Sequence, residues 1–314
     1  MIPNNLHTKL AKGMPKILKA LLAISILLLA AVYLSSIGKQ DQPAQFFIGA
    51  RNQPPTQKPQ NKIFQITNPE LTNLPGRWAM AVKNLKSDET YLLRADEKFP
   101  AASLYKLAVM WKAYEALEKN QLTPDEILSA DKITLDKIVE GKQDKETPET
   151  PQETVSLTVE NALRAAITVS DNYSAILLAQ KLGWENIDSL MEKEGLKDID
   201  LIKEDAPTVT AIAVMDLLER IWRGTAVSAH ASGEMKTLLF NQKINDRIPK
   251  YLPADVKVGH KTGELGNLRH DAGIILGKKS HYIFVFLSET PAPEEAAETI
   301  AKLSQKIYAA LEKQ

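Results

Sequence analysis

The chain has 314 residues, of which 44% are hydrophobic and 25% charged, a composition typical of a globular protein long enough for one large domain. Lys and Arg together number 39, as do Asp and Glu, so the formal net charge is zero and predicts no nucleic-acid partner. The chain has no cysteine, which excludes thiol catalysis, cysteine-ligated zinc and disulfides.

The N-terminal segment, residues 1–38, combines a basic flank with an apolar run. Four lysines precede the run, which continues without a charge from Ala20 to Ile37, about 18 residues and near the minimum that spans a bilayer. The excess of lysine on one side predicts a cytoplasmic N-terminus with the remainder outside the cytoplasm. Because the run ends without an A-x-A cleavage pattern, we interpret 1–38 as a cytoplasmic flank and single-pass signal anchor in the cell membrane. A cleaved signal peptide, which would release the protein, is the alternative.

Residues 39–62 are rich in Gln, Pro and Asn and predict a disordered linker, because such a segment buries too little apolar surface to offset its ordering entropy. The folded domain is then expected over residues 63–314. A second polar tract, 141–154, is short and is interpreted as a surface loop.

Hydrophobic periodicity predicts strands at both ends of this domain and helices between them. The predicted elements are a hairpin of strands 78–82 and 90–93, helices 103–119, 159–169, 172–181, 184–194, 208–223 and 232–240, strands 256–258, 272–276 and 282–287, and a closing helix 294–311. The pattern favours an α+β fold: an antiparallel sheet of about five strands built from both chain ends and flanked by helices, beside an all-helical lobe. The cleft between sheet and lobe is the expected site.

The first of three short motifs is Ser103-Leu104-Tyr105-Lys106. On a helix that begins near Ser103, positions i and i+3 share a face, and the free N–H groups at the helix start favour an oxyanion. A serine needs a neighbouring base, and a lysine serves only where burial and a second cation lower its pKa. Ser103 is therefore the candidate nucleophile and Lys106 its base, although alone such a serine is usually only a helix cap.

The second motif, Ser170-Asp171-Asn172, lies between two predicted helices, where a turn would direct its first and third side chains into the cleft. Ser170 is suited to relay a proton to a leaving amine. The Asn172 amide can bond both a substrate carbonyl and a nearby lysine. Asp171 is interpreted as a helix cap, and alone the whole tripeptide would be an ordinary N-cap.

The third motif, Lys261-Thr262-Gly263, follows a predicted strand at the edge of the cleft. Lys261 and Thr262 are candidates for holding a substrate carboxylate, and Gly263 allows a ligand to approach the backbone. The N–H groups of Glu264 and Ser103 would form an oxyanion hole. Arg269 is a candidate second carboxylate ligand, with an ordinary surface arginine as the alternative.

S-x-x-K, S-D-N and K-T-G in this order resemble the motif set of the serine β-lactamases and penicillin-binding proteins. Residues 76–312 are similar to the class A β-lactamase type of catalytic domain, also in the helix before Ser170 and in the strings 245–249 and 269–274. The resemblance implies Ser103 as the acylated nucleophile, Lys106 as its base, Ser170 as proton shuttle, and Asn172, Lys261 and Thr262 as substrate contacts.

One part of the family's pattern is missing. Class A β-lactamases carry a glutamate, followed by an asparagine, on a long loop that positions the deacylating water, and no such E-x-x-x-N string occurs before the helix at Thr208. The connection 196–207 is short, and Glu204 and Asp205 are its candidates for the base. Solvated loop carboxylates are the favoured interpretation. The sequence thus supports acylation but does not predict rapid hydrolysis of the acyl-enzyme.

We therefore expect a serine β-lactamase-type hydrolase that opens the β-lactam amide through an acyl-enzyme on Ser103. A D-alanyl-D-alanine carboxypeptidase or penicillin-binding protein acting on peptidoglycan, and a slowly deacylating β-lactam or cell-wall sensor, remain alternatives. The five histidines show no H-E-x-x-H spacing, so neither a metal nor a cofactor is predicted. The expected partners are a β-lactam or D-Ala-D-Ala peptide and, through the N-terminal helix, the membrane; we expect a monomer.

Overall fold

The computed structural model describes residues 62–72, 74–140 and 153–313. The predicted anchor, the predicted linker up to residue 61 and most of the 141–154 tract lie outside these residues. Within the described ranges, no helix is both long enough and apolar enough to cross a membrane.

The elements alternate between short strands and helices in the first half of the domain and end in three long strands. The first half comprises α1 (Lys62–Leu71), β1 (Arg77–Asn84), β2 (Thr90–Leu93), β3 (Phe99–Pro100), a 3-10 turn (Ala102–Tyr105), α2 (Lys106–Glu118), β4 (Ile127–Asp131), α3 (Lys132–Glu140), β5 (Thr154–Thr158) and α4 (Val159–Thr168). The second half comprises α5 (Asn172–Leu182), α6 (Trp184–Lys193), β6 (Ile199–Asp200), β7 (Thr208–Val209), α7 (Ala211–Arg223), α8 (Ala229–Phe240), β8 (Lys257–Leu265), β9 (Leu268–Leu276), β10 (His281–Glu289) and α9 (Pro293–Leu311).

The main sheet joins the two chain ends. Its strand order is β2-β1-β10-β9-β8, with antiparallel pairing throughout. The central strand β10 is buried from Tyr282 to Ser288, as expected for a strand that is covered on both faces. β8, which carries Lys261, Thr262 and Gly263, is an outer strand, so one edge of its backbone has no strand partner in this sheet. The predicted α+β architecture is confirmed.

Two hydrophobic cores cover the two faces of the sheet, and β1 contributes to both by strand alternation. Ala79 and Ala81 face the helical lobe, whereas Met80 and Val82 face α1 and α9. The small alanines admit close packing of the lobe, and Trp78 stacks on Phe286 in the other core. The sheet thus holds the edge strand β8 rigidly against the lobe that carries the first two motifs.

A small second sheet, β3-β7-β6, was not predicted, since its strands have only two residues each. It pairs Phe99 with Val209 and Pro100 with Thr208. The Ala101 N–H also donates to the Pro207 carbonyl at 2.7 Å. The segment that leads into Ser103 is therefore hydrogen-bonded to the end of the 196–207 connection.

The other differences are shifted element ends and a few additional elements. The helix predicted from residue 103 begins as a 3-10 turn and becomes α-helical only at Lys106, and the helix predicted from 208 begins at Ala211 because Thr210 caps it. Helix α3 and the β4-β5 pair were not predicted. None of these differences changes the topology.

Candidate active site

Ser103 lies on the 3-10 turn at the start of α2, half-buried beneath strand β8. The residue before it, Ala102, has a φ of +43°, a conformation that costs a non-glycine residue about 1–2 kcal/mol. Such strain persists only where the surrounding structure enforces it, and it is concentrated at functional sites. The Ser103 hydroxyl makes no hydrogen bond to any residue that the structure describes.

Lys106 follows one turn later and is almost fully buried, with 1% of its surface exposed. Its ammonium donates to the Ser170 carbonyl at 2.6 Å, the Asp171 carbonyl at 3.2 Å and the Asn172 Oδ1 at 2.8 Å, and it lies 3.4 Å from the Ser170 hydroxyl. Burial lowers the pKa of Lys106 to about 8, and the Asp171 carboxylate partly opposes this shift. The neutral form of Lys106 is therefore more accessible near neutral pH than that of a solvated lysine.

Lys261 enters the same cluster from strand β8 and is fully buried. Its ammonium donates to the Ser170 hydroxyl at 2.8 Å and to the Thr262 carbonyl at 2.7 Å. Burial, together with the neighbouring Lys106 charge, holds the pKa of Lys261 well below its usual range, while Asp271 acts in the opposite direction. The Ser170 hydroxyl thus lies between two buried amines.

The turn that carries Ser170 connects α4 to α5 and is itself strained, with a φ of +59° at Ser170. It is held by the Asp171 carboxylate, which caps α5 by accepting the Ser174 N–H at 2.7 Å. This is the capping role that the sequence predicts for Asp171. The turn presents the Ser170 hydroxyl and the Asn172 amide to the same two lysines.

Gly263 and His270 allow β8 to lie close to the nucleophile turn. A Cβ at Gly263 would lie 3.0 Å from the His270 Cβ and 3.2 Å from the Leu104 Cγ. His270 donates from Nε2 to the Pro100 carbonyl at 2.9 Å and accepts the Ser288 N–H at Nδ1 at 3.1 Å, which fixes its tautomer. The sheet therefore holds the segment before Ser103 through a buried neutral histidine.

The structure brings most predicted site residues together and leaves three elsewhere. Arg269 donates to the Gly266 and Leu268 carbonyls and to Glu294, so its predicted role as a carboxylate ligand stays a prediction. Glu204 is exposed and pairs with Lys98 at 3.2 Å, and Asp205 is exposed. In the described ranges, no group of three or more histidine or acidic side chains is arranged to hold a metal.

Arg247 is a site residue that the sequence analysis missed. It is 1% exposed, its Nη2 contacts the Glu264 carboxylate, and its charge helps to lower the pKa of Lys261. Its Nε and Nη1 are buried and have no hydrogen-bond partner among the described residues. The only signal in the sequence was its place in the string 245–249, because burial of an arginine cannot be read from spacing.

Comparisons with known proteins agree with this geometry. The model of the "Beta-lactamase enzyme family" matches residues 61–311. The β-lactamase PSE-4 of Pseudomonas aeruginosa is 22% identical over 256 residues, which cover 75% of this chain and 85% of that protein. The chain therefore belongs to the β-lactamase enzyme family.

Solved structures show the same fold. The structure of PBP-A is 20% identical, covers 80% of this chain and 96% of its own, and superposes with a TM-score of 0.71; a PBP-A mutant is also known as an acyl-enzyme complex with penicillin G. An ancestral class A β-lactamase is 21% identical, with coverage of 79% and 100% and a TM-score of 0.67. This protein is thus a class A β-lactamase-like serine hydrolase, as the three motifs predict.

His270 makes stability dependent on pH in a defined window. Burial lowers its pKa from 6.5 to about 4, so between these values the unfolded chain binds a proton that the folded one does not. His270 therefore lowers the free energy of unfolding as the pH falls from 6.5 to 4, by about 3 kcal/mol in total. In His270→Gln, whose amide can replace both hydrogen bonds, this part of the acid destabilisation should disappear in urea titrations at several pH values. An unchanged pH slope would contradict the assignment.

Proposed function

We propose that this protein is a serine β-lactamase-type hydrolase that opens the β-lactam amide through an acyl-enzyme on Ser103. One observation carries the proposal: the Ser170 hydroxyl lies between the buried amines of Lys106 and Lys261, beside the turn that carries Ser103. Two cations that share a dry site favour the loss of a proton from one of them. Such a site supplies an amine base next to a serine nucleophile.

The reaction follows from these positions. Neutral Lys106 accepts the Ser103 proton while the Ser103 Oγ attacks the lactam carbonyl carbon, and the N–H groups of Ser103 and Glu264 stabilise the resulting oxyanion. As the C–N bond breaks, Ser170 donates its proton to the leaving nitrogen and recovers one from Lys106. Asn172 holds the acyl side chain, and Lys261 and Thr262 attract the substrate carboxylate.

The alternatives, a penicillin-binding carboxypeptidase and a β-lactam sensor, differ from a β-lactamase in the second half-reaction, the hydrolysis of the acyl-enzyme. Asp200 of the 196–207 connection is buried and accepts the N–H groups of Ile202 and Lys203, and Glu204 is paired with Lys98, which argues against a desolvated base on this connection. Slow deacylation would fit a penicillin-binding carboxypeptidase or a β-lactam sensor. The similarity to PBP-A supports the same alternative.

Turnover of a chromogenic cephalosporin tests the proposal. We expect a covalent adduct at Ser103 by mass spectrometry, and a loss of at least about a thousandfold in acylation rate in Ser103→Ala. Ser129→Ala, which removes an exposed hydroxyl on β4, is the matched control and should acylate normally. Steady turnover would support the β-lactamase. A single stoichiometric burst would support the slowly deacylating alternatives, the carboxypeptidase and the sensor. Full activity of Ser103→Ala would reject the mechanism.

The role of Lys106 as base predicts a pH profile. Because only the neutral amine accepts the serine proton, the acylation rate should rise about tenfold per pH unit below pH 8 and level off above it. Stopped-flow acylation between pH 6 and 9.5 measures this. Lys106→Arg keeps a cation that cannot lose its proton, so it should be inactive over the whole range. A rate that is flat from pH 6 to 9 would assign the base elsewhere.

We also propose that the apolar run 20–37 anchors the chain in the cell membrane with the catalytic domain outside the cytoplasm. The four preceding lysines and the absence of an A-x-A site support this. In cell fractions, the protein should sediment with membranes and be released by detergent but not by high salt. A mature N-terminus near residue 38, found by mass spectrometry, would instead show cleavage and secretion.

A further inference from the structure

The guanidinium of Arg247 is covered by a carboxylate of the protein itself. Arg247 is 1% exposed, and its Nη2 contacts the carboxylate of Glu264, the residue that directly follows the K-T-G motif. The Nε and Nη1 of Arg247 are buried and have no hydrogen-bond partner among the described residues. A carboxylate binds a guanidinium through two parallel hydrogen bonds only when one of them comes from Nη2, so such a ligand would have to take the place of Glu264 on the Arg247 Nη2.

Glu264 is held at this position from two sides. The second oxygen of its carboxylate lies 3.5 Å from the Arg269 Nη2, and Arg269 also donates to Glu294 at 3.0 Å. The Glu264 side chain remains 54% exposed, so it lies between the buried arginine and the solvent. A carboxylate bound from outside would therefore meet Glu264 before it reached Arg247.

We propose that the Glu264 carboxylate is an internal substitute for the substrate carboxylate on Arg247, and that it determines specificity against substrates with a free carboxylate beside the scissile amide. The inference rests on the proposed function, because it concerns the substrate of the same site. An acidic substrate must displace Glu264 or bind beside its negative charge, and a like charge is a common way to reject a ligand. A substrate with an ester or carboxamide at that position escapes this repulsion.

The charged groups around the Arg247 guanidinium determine what a change of the Glu264 side chain would alter. Arg247 is positive and is contacted by two carboxylates, those of Glu264 and, at 3.7 Å, Asp246, each 54% exposed. Asp271 is paired with His260 through a 2.9 Å contact. The backbone N–H of Glu264, which we assign to the oxyanion hole, is the same in any substitution of its side chain. Changing the side chain thus alters recognition of the carboxylate and leaves the reacting atoms in place.

The test compares a penicillin with its methyl ester on the full chain, in wild type and Glu264→Gln. We expect the ratio of acylation rate constants, acid over ester, to rise about fivefold or more in Glu264→Gln, since one unit charge near 4 Å has an effect of this size even in water. Glu294→Gln, which neutralises an exposed carboxylate that contacts Arg269 and not Arg247, is the matched control and should leave the ratio unchanged.

An unchanged or lower ratio in folded Glu264→Gln overturns the inference while leaving the proposed function intact. A wild type that forms no Ser103 adduct with either compound overturns both. Thermal unfolding establishes that the variant is folded. Should it not fold, Glu264→Ser also removes the charge while keeping a polar side chain, and the acid-over-ester ratio must then rise in the same direction; if it does not, the inference is wrong.

Discussion

The whole site depends on one electrostatic conflict: two lysines are buried around a single serine hydroxyl. Lys106 and Lys261 lie 3.4 and 2.8 Å from the Ser170 Oγ, and both are almost completely excluded from water. Two ammonium groups that contact the same hydroxyl repel each other, and burial penalises the charge of each of them separately. Burial lowers the pKa of both lysines, and the Lys106 charge lowers that of Lys261 further. The fold therefore makes the protonated form of each amine less favourable than it is in water.

The turn at Ser170 reduces the free-energy cost of burying the Lys106 charge. Its two carbonyls and the Asn172 amide oxygen give the Lys106 ammonium three acceptors between 2.6 and 3.2 Å. A buried charge with these hydrogen bonds costs much less than a bare one. The turn itself adopts a positive φ at Ser170, a strain that the Asp171 cap on α5 helps to hold in place. The S-D-N motif thus supplies the hydrogen bonds that replace water around the buried Lys106 ammonium.

Most of this arrangement could be predicted from the sequence, because its parts are local. The three motifs, the strands β1, β2, β9 and β10, and the helices that carry them follow from periodicity and spacing. Long-range features could not be predicted. The sequence around Arg247 has no periodicity from which its burial could be predicted. The two-residue strands β3, β6 and β7 are too short to produce a pattern. The 3-10 start of α2 was missed because an apolar period does not distinguish a first turn of 3-10 from one of α-helix.

The 196–207 connection contacts the segment before Ser103, and its acidic residues have partners of their own. Its end at Pro207 accepts the Ala101 N–H, and β7 pairs with β3, so this connection braces the strained turn before Ser103. The acids in and near the connection accept backbone hydrogen bonds. Asp200 accepts two N–H groups of its own turn, and Asp188 accepts the Leu201 N–H. A deacylating base must instead be held free of such partners beside the acyl carbonyl. The connection thus braces the segment before Ser103 through Pro207, while its acids Asp200 and Glu204 are held by partners of their own.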